Sequence, residues 1–171
     1  KGSNSGYVPV GGVVISADVA ATFDDRVFPG GLTYSGHPLA TASIVGSIDA
    51  MREEKVNEHS AEIGEKVIGP GLRDLMDKHK VIGEVRGLGV FWALDLVTDR
   101  ATREPLAPYA GTSPAMTELV AECKKRFLIP FTNFNRMHVV PPATVSEAEV
   151  TEGLAILDDV FGIIDAHYTG A

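Results

Sequence analysis

One glycine-rich stretch bears most directly on the fold: Gly30-Gly31-Leu32-Thr33-Tyr34-Ser35-Gly36-His37-Pro38. It combines flexible glycines with two hydroxyls and a phenol, and Pro38 suits the first turn of a helix, where its missing N–H costs nothing. Backbone N–H groups and a hydroxyl at a helix N-terminus are suited to binding a phosphate group. The same residues also suit an ordinary turn capped by Ser35, so the segment alone leaves both interpretations open.

A second stretch of small residues lies further upstream: Lys1-Gly2-Ser3-Asn4-Ser5-Gly6. It contains neither the dinucleotide-binding pattern GxGxxG nor the P-loop pattern GxxxxGK[ST]. It is either a surface turn or a place where small residues let the backbone approach a bound cofactor beside a reactive lysine. A lysine amine becomes a useful nucleophile when desolvation or a nearby cation lowers its pKa.

Apolar periodicity predicts alternating strands and helices along the first half of the chain. The expected elements are a buried strand at 13–16, a short helix at 17–26 opened by Asp18, a helix at 38–51, and a longer helix at 55–79. Glycine and proline at Gly69-Pro70-Gly71 predict an interruption of the last helix, and a hinge or domain boundary there.

A smaller α+β unit is expected in the second half. Residues 81–97 predict two strands joined by a glycine turn, 115–127 a helix, and 137–140 a strand stopped by two prolines,. A final helix is expected to begin near Ser146, because acidic residues favour the N-terminal end of the helix dipole.

Composition and charge exclude several classes of function. The chain has 171 residues, 44% of them hydrophobic, and a net charge of -8. This balance argues against a nucleic-acid or anionic-membrane surface, which would need clustered Lys and Arg. No apolar run approaches the roughly 18 to 20 residues needed to span a bilayer, so no membrane partner is expected. A cytoplasmic location follows by default, since no signal peptide is visible, although the sequence does not begin with Met,.

Cys123 is the only cysteine, so an internal disulfide is impossible,. It lies on an apolar stripe of a predicted helix, which indicates a buried structural thiol rather than a nucleophile. A metal site is not expected, because zinc sites normally need several Cys or His at close spacing.

Four motifs together resemble class III aminotransferases of the ω-transaminase type. The lysine of Lys1-Gly2-Ser3 is followed by Tyr7-Val8-Pro9-Val10-Gly11-Gly12-Val13, similar to the family's Y-x-P-x-G-x-V. The other three are Gly31 to Pro38 (G-x-T-Y-x-G-H-P), Val85-Arg86-Gly87-Leu88-Gly89 (V-R-G-x-G) and Val140-Pro141-Pro142. Their order and spacing match the family over essentially the whole chain.

The resemblance implies an α/β architecture, PLP fold type I (aspartate aminotransferase-like). Residues 1–70 would form the C-terminal part of the large PLP-binding domain and residues 71–171 the α+β small C-terminal domain. In the family, the aspartate at the pyridine nitrogen, the aromatic stacked on the ring and the first phosphate loop all precede the lysine. We therefore expect this chain to be a segment of a longer polypeptide.

The resemblance also implies the cofactor and its ligands. Lys1 would bind pyridoxal phosphate (PLP) covalently and then move the proton between the substrate Cα and the cofactor. Thr33 would bind the cofactor phosphate of the neighbouring subunit in a homodimer, or in a dimer of dimers, with Tyr34 close by. The small-molecule partners would be an amino donor and a keto-acid acceptor.

The chain departs from the family at the arginine that binds the substrate carboxylate. Phe131 stands where many ω-amino acid:pyruvate enzymes carry it, and His138 where acetylornithine and 4-aminobutyrate enzymes do. Arg136 is the nearby guanidinium that could clamp a carboxylate or sulfonate, or it could be a loop arginine in solvent. Arg86 is expected to form a structural ion pair, and Trp92 to lie in the core.

The predicted reaction is therefore the transfer of an amino group from an ω-amino acid or amine to a keto acid, with pyruvate preferred. Within the family, a mutase or a decarboxylase using the same lysine is the alternative. From other classes, a non-catalytic dimerisation module and a phosphate-binding α/β domain without lysine chemistry remain open.

Overall fold

The computed structural model describes residues 2–171, so Lys1 and its predicted role lie outside the described residues. The chain divides into two compact units, the first ending at Lys55 and the second spanning Val56–Ala171. The domain boundary expected between residues 70 and 71 stays a prediction. None of the described helices is both long and apolar enough to cross a bilayer.

Residues 2–55 contain two helices. Helix α1 spans Ala17–Ala21 and is capped by Ser16, whose hydroxyl accepts the N–H of Val19 at 3.3 Å. It is shorter than the helix predicted for 17–26, because the chain turns at Thr22. Helix α2 spans Pro38–Glu53 and begins at the proline, as its sequence predicts.

The buried strand predicted for residues 13–16 is wrong for the described structure. Val13 and Val14 are 88% and 100% exposed, and within residues 2–55 no strand is present. A strand is stable only when a neighbour pairs with its N–H and C=O groups. The apolar run is therefore extended chain without a sheet to join.

The second unit opens with a nearly continuous helical segment. Helix α3 spans Val56–Ile63, a π-helical turn spans Gly64–Ile68, and helix α4 spans Gly69–Lys78. This confirms the helix predicted for 55–79, and the interruption is the π turn just before Gly69. Gly64 is required at this turn, since a Cβ there would lie 2.1 Å from the backbone oxygen of Gly89.

An antiparallel sheet forms the middle of the second unit. Its strands are β1 (Ile82–Leu88), β2 (Phe91–Asp99), β3 (Glu104–Pro105), β4 (Phe131–Asn133) and β5 (Arg136–Val139). The order is β1-β2-β5-β4, with β3 on the end of β2. The two strands joined by a glycine turn and the strand near 137–140 are confirmed. The short β3 and β4 carry too few residues for an alternating pattern and were not predicted.

Helices cover one face of this sheet. Helix α5 spans Pro114–Lys125, helix α6 spans Glu147–Ile164, and a 3-10 turn at Asp165–His167 follows. Ser146 and Glu149 form a complete capping box at the start of α6,. The most buried side chains come from helices and strands alike: Ile68, Leu72, Ile82, Leu94, Leu96, Leu119, Met137 and Phe161.

Two predictions about single residues are confirmed by this core. Trp92 is buried, and its indole N–H donates to the oxygen of Gly89 at 2.7 Å. Cys123 is fully buried, and burial raises its thiol pKa to about 11. A thiol with so high a pKa stays protonated at neutral pH, which agrees with a structural role.

Candidate active site

The turn that carries Thr33 and Tyr34 leads directly into α2. Its hydrogen bonds run from Ser35 N–H to Leu32 O at 3.0 Å and from His37 N–H to Tyr34 O at 3.2 Å. Gly36 has φ +69°, a conformation that glycine adopts without strain,. The N-cap of α2 is His37, without a side-chain cap bond, and Ser35 lies within the turn that precedes it.

This turn presents polar groups that suit an anion. Thr33 and Tyr34 are exposed, and the Tyr34 ring lies 5.8 Å from that of His37. The first helical hydrogen bond is donated by Thr41 to His37 O at 3.0 Å, so the amides before it have no partner within the helix,. Those amides and the helix dipole favour an anion, and the exposed Thr33 hydroxyl in the preceding turn is a further hydrogen-bond donor,. The residues present therefore fit the phosphate end of PLP.

Asn4, which the sequence did not single out, organises the loop that follows Lys1. Its side chain is buried, and its Nδ2 donates to Val8 O at 2.7 Å and to Ser43 Oγ at 2.8 Å. Its Oδ1 accepts the N–H of Gly6 at 3.1 Å. Because Ser43 lies on α2, one helix anchors this loop and also carries the Thr33 turn at its start. An asparagine among glycines and serines is the available signal, but its long-range partner is visible only in the structure.

In the second unit, a charged cluster lies on one face of the sheet. Asp95 on β2 accepts Arg136 Nε from β5 at 3.0 Å and also binds Arg86 from β1. Arg86 in turn lies 3.4 Å from Glu84. The structural ion pair predicted for Arg86 is confirmed.

Arg136 lies on strand β5, directly opposite Asp95, and is therefore not a loop residue. Its side chain is 40% exposed. Its single hydrogen bond among residues 2–171 uses Nε, whereas a guanidinium has five N–H donors,. The two Nη groups are thus free to bind a further carboxylate or sulfonate.

The electrostatics of this cluster are dominated by the arginines. Burial by itself would raise the pKa of Asp95, but the hydrogen bonds from Arg86 and Arg136 outweigh it and hold that pKa below its usual range. Asp95 is therefore ionised at neutral pH.

His138 lies two residues beyond Arg136, on the same face. Its ring packs edge-on against Phe91 and Phe131, with centroids 5.9 and 5.2 Å away. Burial and then the charge of Arg136 lower its pKa, so the imidazole is neutral at pH 7,. It does not supply the positive charge that the family's arginine would supply at this position.

A polar cleft of about 180 Å³ adjoins Asp95 and Arg136. Arg100 and Arg103 also line it. The guanidinium of Arg100 donates to backbone oxygens at the end of α4 and the start of β1, at 2.8 to 3.1 Å, so its role is structural. With Arg136 counted, three arginines line the cleft against the two carboxylates of Glu84 and Asp95, which favours an anion there,.

Comparison with known proteins identifies the class. The sequence model of the family Aminotransferase class-III matches residues 1–161. The chain belongs to the class III aminotransferase family. This confirms the resemblance carried by the four motifs.

Named relatives agree with this assignment. The chain is 35% identical to the 5-aminovalerate aminotransferase of Pseudomonas aeruginosa, over 93% of the chain and 36% of that protein. It is 29% identical to the taurine–pyruvate aminotransferase of Bilophila wadsworthia, over 98% of the chain and 38% of that protein. It is also 35% identical to an ethanolamine-phosphate phospho-lyase homologue of Caenorhabditis elegans, over 78% of the chain and 28% of that protein.

Solved structures confirm PLP fold type I. The taurine:2-oxoglutarate aminotransferase of Bifidobacterium kashiwanohense, solved with PLP and glutamate, superimposes with a TM-score of 0.88 at 35% identity. The match covers 98% of this chain and 37% of that one. The chain therefore spans a little over a third of the length of these aminotransferases. Family and structure together indicate pyridoxal phosphate as the cofactor.

Proposed function

We propose that the full-length protein is a PLP-dependent transaminase that moves an amino group from an ω-amino acid or amine to a keto acid. The observation that carries this proposal is the family match over residues 1–161. Relatives that act on 5-aminovalerate, taurine and putrescine support an amino group at the end of the donor.

Different residues of this chain bind different parts of the cofactor. Lys1 is the covalent attachment point. Thr33 and the first amides of α2 bind the phosphate held by the neighbouring subunit of a homodimer, with Tyr34 beside it. PLP, when bound, supplies the electron sink that stabilises a carbanion at the substrate Cα. The amine of Lys1 would then serve as the base that moves the proton between the substrate Cα and the cofactor.

Arg136 binds the acid group of the donor or of the keto acid. Its free Nη groups and partial exposure support this role, since a planar guanidinium matches a carboxylate or sulfonate with two hydrogen bonds,. Pyruvate is the acceptor that we favour. The taurine–pyruvate and putrescine–pyruvate relatives support it, whereas a structural neighbour uses 2-oxoglutarate.

A lyase is the second candidate, because one relative at 35% identity is a phospho-lyase homologue. Such an enzyme would use the same lysine and cofactor but would expel a phosphate group from the substrate instead of exchanging amino groups. The non-catalytic dimerisation module has no named relative among those described above.

Borohydride reduction of the full-length protein, followed by digestion, tests the attachment point. We expect the pyridoxyl mass on the peptide that contains Lys1, and we expect the label to be lost in Lys1→Ala but kept in Lys55→Ala. A label elsewhere, in protein shown to contain PLP, would overturn the assignment.

Substrate profiling then separates the reactions. The transaminase should convert 5-aminovalerate, taurine or putrescine only when a keto acid is present. The lyase should release phosphate from ethanolamine phosphate without any keto acid. Comparing pyruvate with 2-oxoglutarate as acceptor tests the preference for pyruvate.

A further inference from the structure

Asp95 occupies the most constrained strand of the second unit. Strand β2 pairs with β1, β3 and β5, so it has a neighbour on both sides. Leu94 and Leu96, on either side of Asp95 in sequence, are fully buried beneath the sheet. The carboxylate therefore projects from a backbone that is fixed by hydrogen bonds and by packing.

The two oxygens of this carboxylate are shared between neighbouring strands. Oδ1 accepts Arg136 Nε from β5 at 3.0 Å, and Oδ2 accepts Arg86 from β1. One central acid thus holds two arginines that would otherwise repel each other. Glu84, 3.4 Å from Arg86, balances the second charge without touching Arg136.

The atom through which Arg136 binds Asp95 determines which of its N–H groups can still bind a ligand. An arginine bound through both Nη groups would be fully used by its partner, but Arg136 is bound through Nε. The long side chain is therefore ordered while its two Nη groups stay open. Ordering a side chain with this much rotamer freedom before a ligand arrives strengthens the later contact.

We propose that Asp95 is a positioning residue that presents Arg136 to the acid group of the substrate, and so selects ω-amino acids over simple amines. This inference rests on the proposed transaminase function. Asp95 does not touch the substrate. It acts through Arg136 by fixing the direction of the guanidinium.

The test compares two donors of equal length in the full-length holoenzyme, 5-aminovalerate and pentylamine, with pyruvate as acceptor. In Asp95→Asn the amide oxygen can still accept from one arginine, but the amide N–H₂ now faces the other. We expect the KM for 5-aminovalerate to rise about tenfold, with its kcat and both constants for pentylamine changed by less than about twofold. The matched control Glu84→Gln should change the ratio of kcat/KM between the donors by less than about twofold, because it leaves the Arg136–Asp95 contact intact,.

The ratio of the two kcat/KM values does not depend on how much of the enzyme is folded, because both donors report on the same active fraction. If Asp95→Asn yields no active protein, Asp95→Glu, which keeps the charge but moves it by one methylene, should lower the same ratio. An equal loss for both donors would mean that Asp95 only stabilises the sheet, and the proposal would be overturned. Wild-type enzyme that transfers no amino group from either donor would instead contradict the proposed function.

Discussion

Residues 2–55 and residues 56–171 differ in the burial of their apolar side chains. Among residues 2–55 only Asn4 and Ala40 are buried, while most valines, leucines and aromatic rings there are exposed. In the second unit, leucine, isoleucine and valine side chains from every long helix and from the sheet meet in one core. The second unit therefore buries enough apolar surface to stabilise its own fold, whereas the first has apolar surface that its own residues do not cover.

The largest expected effect comes from separating the two regions. Residues 56–171 expressed alone should unfold in one cooperative thermal transition, with Trp92 reporting loss of the core. Residues 1–55 alone should show none, because they bury too little apolar surface to offset the loss of chain entropy. Circular dichroism against temperature measures both. A cooperative transition in residues 1–55 would contradict the expectation that this region does not fold alone.

Within the second unit, buried and exposed leucines should differ strongly. Leu94→Ala, in the fully buried middle of β2, should lower the free energy of unfolding of residues 56–171 by about 3 kcal/mol,. Leu88→Ala, at an 86% exposed position of β1, should change it by less than about 0.5 kcal/mol,. Urea denaturation measures both. Similar losses in the two variants would contradict the core as described.

A buried polar contact should rank next. His79 is 3% exposed, and its ring nitrogens lie 2.8 Å from Asp165 and 2.6 Å from Asp158. The histidine therefore connects the end of α4 to α6 and to the turn that follows α6. His79→Gln should lower the free energy of unfolding by about 2 kcal/mol, since two partly buried carboxylates lose their partner. Lys78→Gln removes only an exposed ion pair to Asp158 and should cost less than about 0.5 kcal/mol,. Equal losses of unfolding free energy in the two variants would show that His79 does not connect α4 to α6.

The smallest effect concerns the first unit and its loop after Lys1. Ser43→Ala removes one partner of the buried Asn4 amide, which should weaken PLP binding by the full-length protein about fivefold, since one such hydrogen bond is worth about 1 kcal/mol,. Ser47→Ala, on the same helix and without a side-chain hydrogen bond among residues 2–171, is the control. Absorbance titration with PLP measures both. If the two variants bind PLP alike, the Asn4–Ser43 contact does not organise the loop.

The sequence predicted the second unit better than the first, for an identifiable reason. The apolar stripe of α6 repeats over many residues, and β1 and β2 flank a glycine turn, so these patterns predict type and position correctly. Residues 13–16 have the composition of a buried strand, but composition cannot supply a neighbouring strand. The prediction failed there because pairing is a tertiary property.

In the candidate site, too, local motifs were predicted from the sequence and long-range contacts were not. Lys1, Thr33 and Tyr34 were singled out from local motifs, and their roles with PLP stay predictions. Arg136 was found as the nearest guanidinium, but its strand position and its bond to Asp95 were not visible in sequence, because Asp95 lies 41 residues away.

The sequence by itself determined the class III family, the PLP fold and the start of each major helix, because motifs, caps and periodicity act over a few residues. Only the tertiary structure decided that one aspartate on the central strand holds two arginines, that His138 is neutral between two phenylalanine rings, and that Asn4 is anchored on α2. Each of these depends on contacts between segments that are distant in sequence. For the aspartate and for His138 those contacts follow from strand register, which is set by burial of the core.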